Sequence, residues 1–160
     1  MRQLKDFTPS RRAILAGLAA AVLPSFAIAK SRNVQVWKTP TCGCCSAWIE
    51  HLRAAGFDVV ATDVAQDALD RVKDRLGVPP ALRSCHTARI GDYVVEGHVP
   101  AADIERLLNF APEIVGIAVP GMPIGSPGME MGDEIEPYAT YAFDETGPTA
   151  IFARHGRLHP

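Results

Sequence analysis

Four cysteines are the residues of this 160-residue chain most suited to chemistry, and three of them fall within four positions: Cys42, Cys44 and Cys45 in "WKTPTCGCCSAWIEHL". The fourth, Cys85, stands in "PPALRSCHTARI" next to His86. Cys42 and Cys45 have the C-x-x-C spacing of a redox bridge, one thiol attacking and the other resolving, but that leaves Cys44 unused. Two disulfides are the plain alternative, with three pairings open, of which a bond between adjacent Cys44 and Cys45 would be strained. Metal binding uses the extra thiol, since soft thiolates suit Cu(I), Zn(II) or an iron-sulfur centre. Successive helical residues point about 100° apart, so Cys44 and Cys45 diverge and do not readily grip one ion. Sulfurs shared between several ions relieve that, which makes a polynuclear copper-thiolate cluster at least as reasonable as a single four-cysteine zinc site.

Other donors flank the thiols. His98, in "VVEGHVP", sits where a strand ends and a helix begins, and reaches the same rim. His86 is a second nitrogen candidate, although it faces away from Cys85 if the strand has already begun, because side chains alternate along a strand. His51 lies about 9 Å along the helix from Cys45, too far to share an ion. Met122, Met129 and Met131 crowd the loop "PGMPIGSPGMEMG", and a thioether favours Cu(I). Met129 and Met131 are candidate ligands, with a lid over the thiols as their plainer role. Trp37 and Trp48 are placed to shield the sulfurs. No Ser-His-Asp set, phosphate-binding loop or paired acid stands out as a rival site.

The elements that must position these groups alternate. "NVQVWKT" reads as a strand ending at Pro40, a helix follows from about 44 to 55, and "FDVVATDV" is a second strand. Residues 65–77 form a helix with Ala68, Leu69, Val72 and Leu76 in one stripe. "HTARIG" and "YVVEGHV" pair across a Gly91-Asp92 turn, and "PAADIERLLNF" closes the pattern as a helix. The order β-α-β-α-β-β-α is that of an α/β, thioredoxin-like domain, in which the first strand runs directly into the first helix entry. Unpaired N–H groups and a partial positive charge gather there, and thiolates gain from both. Residues 112–137 are too rich in Gly and Pro for a regular element and read as an ordered loop. Residues 138–156 read as an added β-hairpin.

The first 29 residues carry Arg11-Arg12, an uncharged run interrupted by Pro24, and Ala27-Ile28-Ala29, the marks of a cleavable export signal. The Ser10-Arg11-Arg12-x-x-Leu15 order resembles twin-arginine signals, so the expected location is the periplasm, with no lasting membrane insertion. Residues 30–160 then form a single domain. Removing the signal leaves 12 basic residues (16 − 4) and 17 acidic ones (18 − 1), a net charge of −5. Without a Lys/Arg cluster, nucleic acid is not an expected partner.

Three segments carry a resemblance: "VWKTPTCGCCSAWIEHLRAAGF", "GVPPALRSCHTARIGDYVVEGHVPAADIERLL" and "VPGMPIGSPGMEMG". They resemble the CopG-like periplasmic metal-binding proteins of copper resistance operons, over roughly residues 33–155. The resemblance implies a thioredoxin-like fold holding a multicopper thiolate cluster on Cys42, Cys44, Cys45 and Cys85, with a histidine contribution carried to His98. It implies copper ions as ligand, other periplasmic copper-handling proteins as partners, and leaves storage, transfer and Cu(I)/Cu(II) interconversion as alternatives.

Overall fold

A computed structural model describes residues 32–156. The export signal expected at 1–29 lies outside the described residues. Strand β1, Asn33–Lys38, buries Val34 and Val36 and exposes Asn33 and Gln35, the period-2 pattern of a half-covered strand. Its ladder stops before Pro40, which has no N–H to give. The Cys42 N–H turns back onto Thr39 O at 3.2 Å, and helix α1, Gly43–Ala54, starts at once. Cys45, Trp48, Ile49 and Leu52 fall on one helical face and are buried. Gly56, in the left-handed region at φ 83°, turns the chain out of α1.

The succession continues with β2 (Asp58–Asp63), α2 (Gln66–Arg75), a 3-10 turn (Pro80–Leu82), β3 (His86–Ile90), β4 (Tyr93–Glu96) and α3 (Ala101–Phe110). The strand and helix order read from the sequence is therefore present. It is followed by β5 (Gly116–Ala118), β6 (Tyr138–Asp144) and β7 (Gly147–His155). All seven strands form one mixed sheet in the order β2-β1-β3-β4-β5-β6-β7. β1 is parallel to β2 and antiparallel to β3, and β4 is parallel to β5. Among the described residues no helix is long and apolar enough to cross a membrane.

Residues 112–137, expected to be an ordered loop without regular structure, are not wholly irregular. Part of the Gly/Pro-rich stretch is a strand: β5 is three residues long, fully buried, and hydrogen-bonded between β4 and β6. A three-residue run is too short to show periodicity. Gly116 is there because the neighbouring backbone comes close, and a Cβ would run into Val94 O and the Phe143 ring. The C-terminal hairpin consequently extends the main sheet and is no separate appendage.

The sheet buries apolar side chains on both faces. Trp48, Ile49 and Leu52 of α1 and Ile104 and Leu107 of α3 join Val34, Val36, Ala88, Ile90, Val95 and Ile117 in one cluster. Val78, Leu82, Val94, Ala118 and Phe143 form a second. Val94 and Val95, like Ile117 and Ala118, are neighbours divided between the two clusters, as strand alternation requires.

Candidate metal centre

The site forms where β1 meets α1. Cys42 is the N-cap of α1 with extended backbone (φ −78°, ψ 93°), and Cys44 and Cys45 occupy the first turn, which holds no acidic residue. Cys85 arrives from the bend just before β3. A disulfide joins Cys42 to Cys45, while Cys44 and Cys85 are free thiols. Cys44 Sγ stands 3.5 Å from Cys42 Sγ and 4.0 Å from Cys85 Sγ. All four sulfurs lie within 4.8 Å of one another. The divergence expected of Cys44 and Cys45 on a helix does not keep them apart. Cys42 sits outside the helical conformation, and Cys85 closes the remaining side from another element.

Burial pushes the Cys85 thiol up to about 12, helped by the neighbouring Cys44 sulfur. The metal-free chain thus holds Cys85 as a neutral thiol, and ligation must displace its proton.

Two buried imidazoles extend the thiol group. His98 Nε2 is 3.1 Å from Cys85 Sγ, and its Nδ1 is 2.8 Å from Pro127 O. A carbonyl only accepts, so Nδ1 carries the proton and the Nε2 lone pair faces the sulfurs. His86 Nδ1 is 3.4 Å from Cys85 Sγ, and Nε2 is buried with no hydrogen-bond partner among the described residues. Burial drives the pKa of His98 down and that of His86 well down, so both rings are neutral, the form that ligates. The alternation argument for His86 fails because Cys85 precedes β3, where the period-2 rule has not begun. Cys85, His86 and His98 lie within 4.8 Å of one another.

Trp48 is fully buried, packs its ring 4.3 Å from His86 and donates Nε1–H to Val99 O at 2.8 Å, so it is both core and wall. Trp37 is half-buried. His51 is spent elsewhere: its Nε2 accepts the Ala101 N–H at 3.1 Å, at the start of α3.

The loop carrying the methionines meets the site through backbone. A Cβ on Gly128 would sit 2.7 Å from Cys44 O and 2.8 Å from Trp48 N, so only glycine lets the loop lie on the α1 entry. Met129 is half-buried, and Met122 and Met131 are exposed. Sequence reasoning missed Pro127, whose carbonyl fixes the His98 tautomer, and the buried polar group Lys73, Thr87 and Glu96. A signal was present: Lys73 lies four residues after Leu69 and three before Leu76, within the apolar stripe of α2.

A mixed α/β domain with four cysteine sulfurs, two of them in a disulfide, and two neutral imidazoles at a helix entry carries the donors of soft-metal or thiol chemistry. The family described as "Protein of unknown function, DUF411" matches residues 82–129. Two solved structures of a copper resistance protein copG, its form 1 and form 2, each match at 46% identity with a TM-score of 0.71. The matches cover 77% and 78% of this chain and 96% and 98% of those chains. No curated protein matches. The chain belongs to the DUF411 family, with the CopG structures among its relatives.

Proposed function

We propose that this is a periplasmic copper-binding protein of copper homeostasis and resistance, holding Cu(I) in a multinuclear thiolate cluster on a thioredoxin-like fold. Cys42, Cys44, Cys45 and Cys85 supply the sulfurs, and His98 and His86 the nitrogens. Met129 and Met131 contribute thioethers from the covering loop. One observation supports this above others: four sulfurs from two separate elements converge within 4.8 Å, beside two buried neutral imidazoles. Thiolates and a covered site favour the reduced ion, while oxygen or Cu(II) outside pulls the other way, so interconversion of the two copper states belongs to the same proposal. The cluster requires the Cys42–Cys45 bridge to be opened by an external dithiol, which gives up two electrons and two protons and is itself oxidised to a disulfide, leaving two thiols on the chain. Export by the twin-arginine route and exchange with other periplasmic copper-handling proteins complete the reading.

A second reading rests on the bridge itself. Cys42 is partly exposed and Cys45 fully buried, the division of labour expected of an attacking and a resolving thiol in a thiol-disulfide oxidoreductase. A single zinc on the four cysteines is a third arrangement compatible with the sulfur spacing.

Anaerobic purification from copper-supplemented cells, followed by elemental analysis and a thiol count, separates them. More than one copper per chain with four protected thiols supports the cluster, and one colourless zinc supports the structural site. Cys44→Ser should abolish multinuclear copper binding, whereas disulfide reduction by Cys42 and Cys45 alone should survive it.

A further inference from the structure

Across the sheet from the imidazoles lies an ion pair that the metal site does not use. Lys73 of α2 is 1% exposed, and Glu96 of β4 and Thr87 of β3 are 0% exposed. Lys73 Nζ is 2.5 Å from Glu96 Oε1 and 2.8 Å from Thr87 Oγ1. The Thr87 hydroxyl donates to Glu96 Oε2 at 2.6 Å, and the Ser84 backbone N–H donates to Glu96 Oε1 at 2.6 Å. Ser84 and Thr87 are the residues on either side of Cys85-His86.

The two oxygens of one carboxylate therefore grip the chain immediately before and immediately after the thiol-imidazole pair. Ser84 is held further by its hydroxyl, which donates to Gly121 O in the covering loop. It is also held by Gly97, where a Cβ would run into Ser84 and Val119 O. Stability alone gives no account of the arrangement. Exchanging a buried ion pair for well-packed apolar side chains commonly leaves a protein as stable or more so, while removing one partner is strongly destabilising. Burial pushes the Glu96 carboxyl up, and the Lys73 ammonium and the hydrogen bonds from Thr87 and Ser84 pull it back, so the carboxylate depends on all three.

We infer that Glu96 is a positioning residue of the metal centre: it clamps Ser84 and Thr87 so that Cys85 and His86 stand in fixed register with the α1 cysteines, and Lys73 is its counter-charge. This rests on the reading of Cys85 and His86 as metal donors. The clamp acts through geometry and not through net charge. A neutral amide in its place keeps it, with the carbonyl accepting from Ser84 N–H and the NH₂ donating to Thr87 Oγ1, while an apolar side chain cannot.

Two double variants test this without leaving an unpaired buried charge: Lys73→Met/Glu96→Gln and Lys73→Met/Glu96→Leu. Cu(I) affinity of the reduced full chain is measured anaerobically against a coloured chelator, with thermal unfolding of the metal-free proteins alongside. The glutamine variant should bind within about threefold of wild type. The leucine variant should bind about 10- to 100-fold more weakly, the loss usual for an outer partner of a metal ligand, and should unfold somewhat lower than the glutamine variant because the Ser84 N–H and the Thr87 hydroxyl lose their acceptor. Equal affinities in the two variants would overturn the clamp.

A wild-type chain that takes up no copper would refute the copper reading and not the clamp, which has a metal-free readout in Cys85 alkylation. Labelling about tenfold faster in the leucine than in the glutamine variant supports the clamp, and equal rates overturn it. Should the leucine variant fail to fold, amide exchange in wild type decides. A Ser84 N–H as protected as those of β3 supports the clamp, and one exchanging at open-loop rates overturns it.

Discussion

Replacing Gly128 with alanine tests the link between the covering loop and the metal donors. Gly128 has φ 86°, which costs an L-residue about 1–2 kcal/mol. Its new Cβ would stand 2.7 Å from Cys44 O, whereas ordinary contact begins at 3.4 Å, so the loop must retreat by about 0.7 Å. The Pro127 carbonyl, one residue back, would move from 2.8 Å to about 3.5 Å from His98 Nδ1, the edge of hydrogen bonding. A buried N–H losing its acceptor costs about 1–3 kcal/mol. The two losses are not fully additive, and together predict about 2–4 kcal/mol, a fall of roughly 10 °C in unfolding temperature. With the His98 tautomer no longer fixed, Cu(I) affinity should fall about 10- to 100-fold. The control lies in the cysteine motif itself. Among the described residues Gly43 has nothing within 4 Å of its Cβ position, and it is the first residue of α1, so Gly43→Ala should be neutral or stabilise by up to ~1 kcal/mol. Thermal unfolding and anaerobic chelator competition on both variants decide the matter. A Gly128→Ala protein that matches wild type in both assays refutes the loop's role.

Acid should destabilise the metal-free chain. Burial lowers the pKa of His86 and His98, so the folded state holds fewer protons than the unfolded one below about pH 6.5. Stability is fully present above that pH and drains away as pH falls towards the folded-state values. Each histidine that stays neutral contributes a loss of about 1.4 kcal/mol per pH unit, so urea midpoints that match at pH 7.5 and 5.0 would contradict the burial argument. Cys85, pushed to about 12, should alkylate slowly at pH 8 and accelerate steeply towards pH 12, as mass spectrometry of labelled peptides would report. The same raised value makes the folded state the better proton binder above the ordinary thiol pKa of about 8.5, so stability should decline between there and about 12. Trp48→Phe keeps the ring beside His86 but removes the donor to Val99 O, and should cost about 1–3 kcal/mol with little change in copper stoichiometry. A stability equal to wild type would show that this hydrogen bond contributes nothing.

The elements around the site were legible because each buries one clean stripe. Val34 and Val36 alternate, Cys45, Trp48, Ile49 and Leu52 follow helical spacing, and a proline or glycine ends each run. The thiol set was legible from residue type alone, since soft donors have few other reasons to crowd a helix entry. What escaped was set by neighbours distant in sequence. β5 exists because β4 and β6 offer their backbones to three buried residues, which no local pattern announces. Whether His86 faced Cys85 depended on where β3 began, a boundary uncertain by a residue or two at any strand end. The Pro127 contact to His98 spans 29 residues, and the Glu96 grip on Ser84 spans 12. Neither has a spacing rule, although a charged residue inside an apolar stripe, as at Lys73, marks a place where burial must be compensated.

On the proposed reading, metal capture and thiol redox chemistry are coupled, because Cys42 and Cys45 would serve both. With the Cys42–Cys45 bridge closed, the soft donors are Cys44, Cys85, His86 and His98, and opening it doubles the number of sulfurs. An ion that prefers the open form must stabilise it by RT ln(1 + [L]/Kd), about 1.4 kcal/mol for each tenfold excess over its dissociation constant. For a two-electron couple that is about 30 mV, so Cu(I) at a thousandfold excess should raise the bridge potential by about 90 mV. A dithiol titration followed by thiol count, run with and without Cu(I), reads that displacement directly. Coincident midpoints would mean that copper does not distinguish the two forms, and the Cys42 and Cys45 sulfurs would then belong to thiol exchange alone.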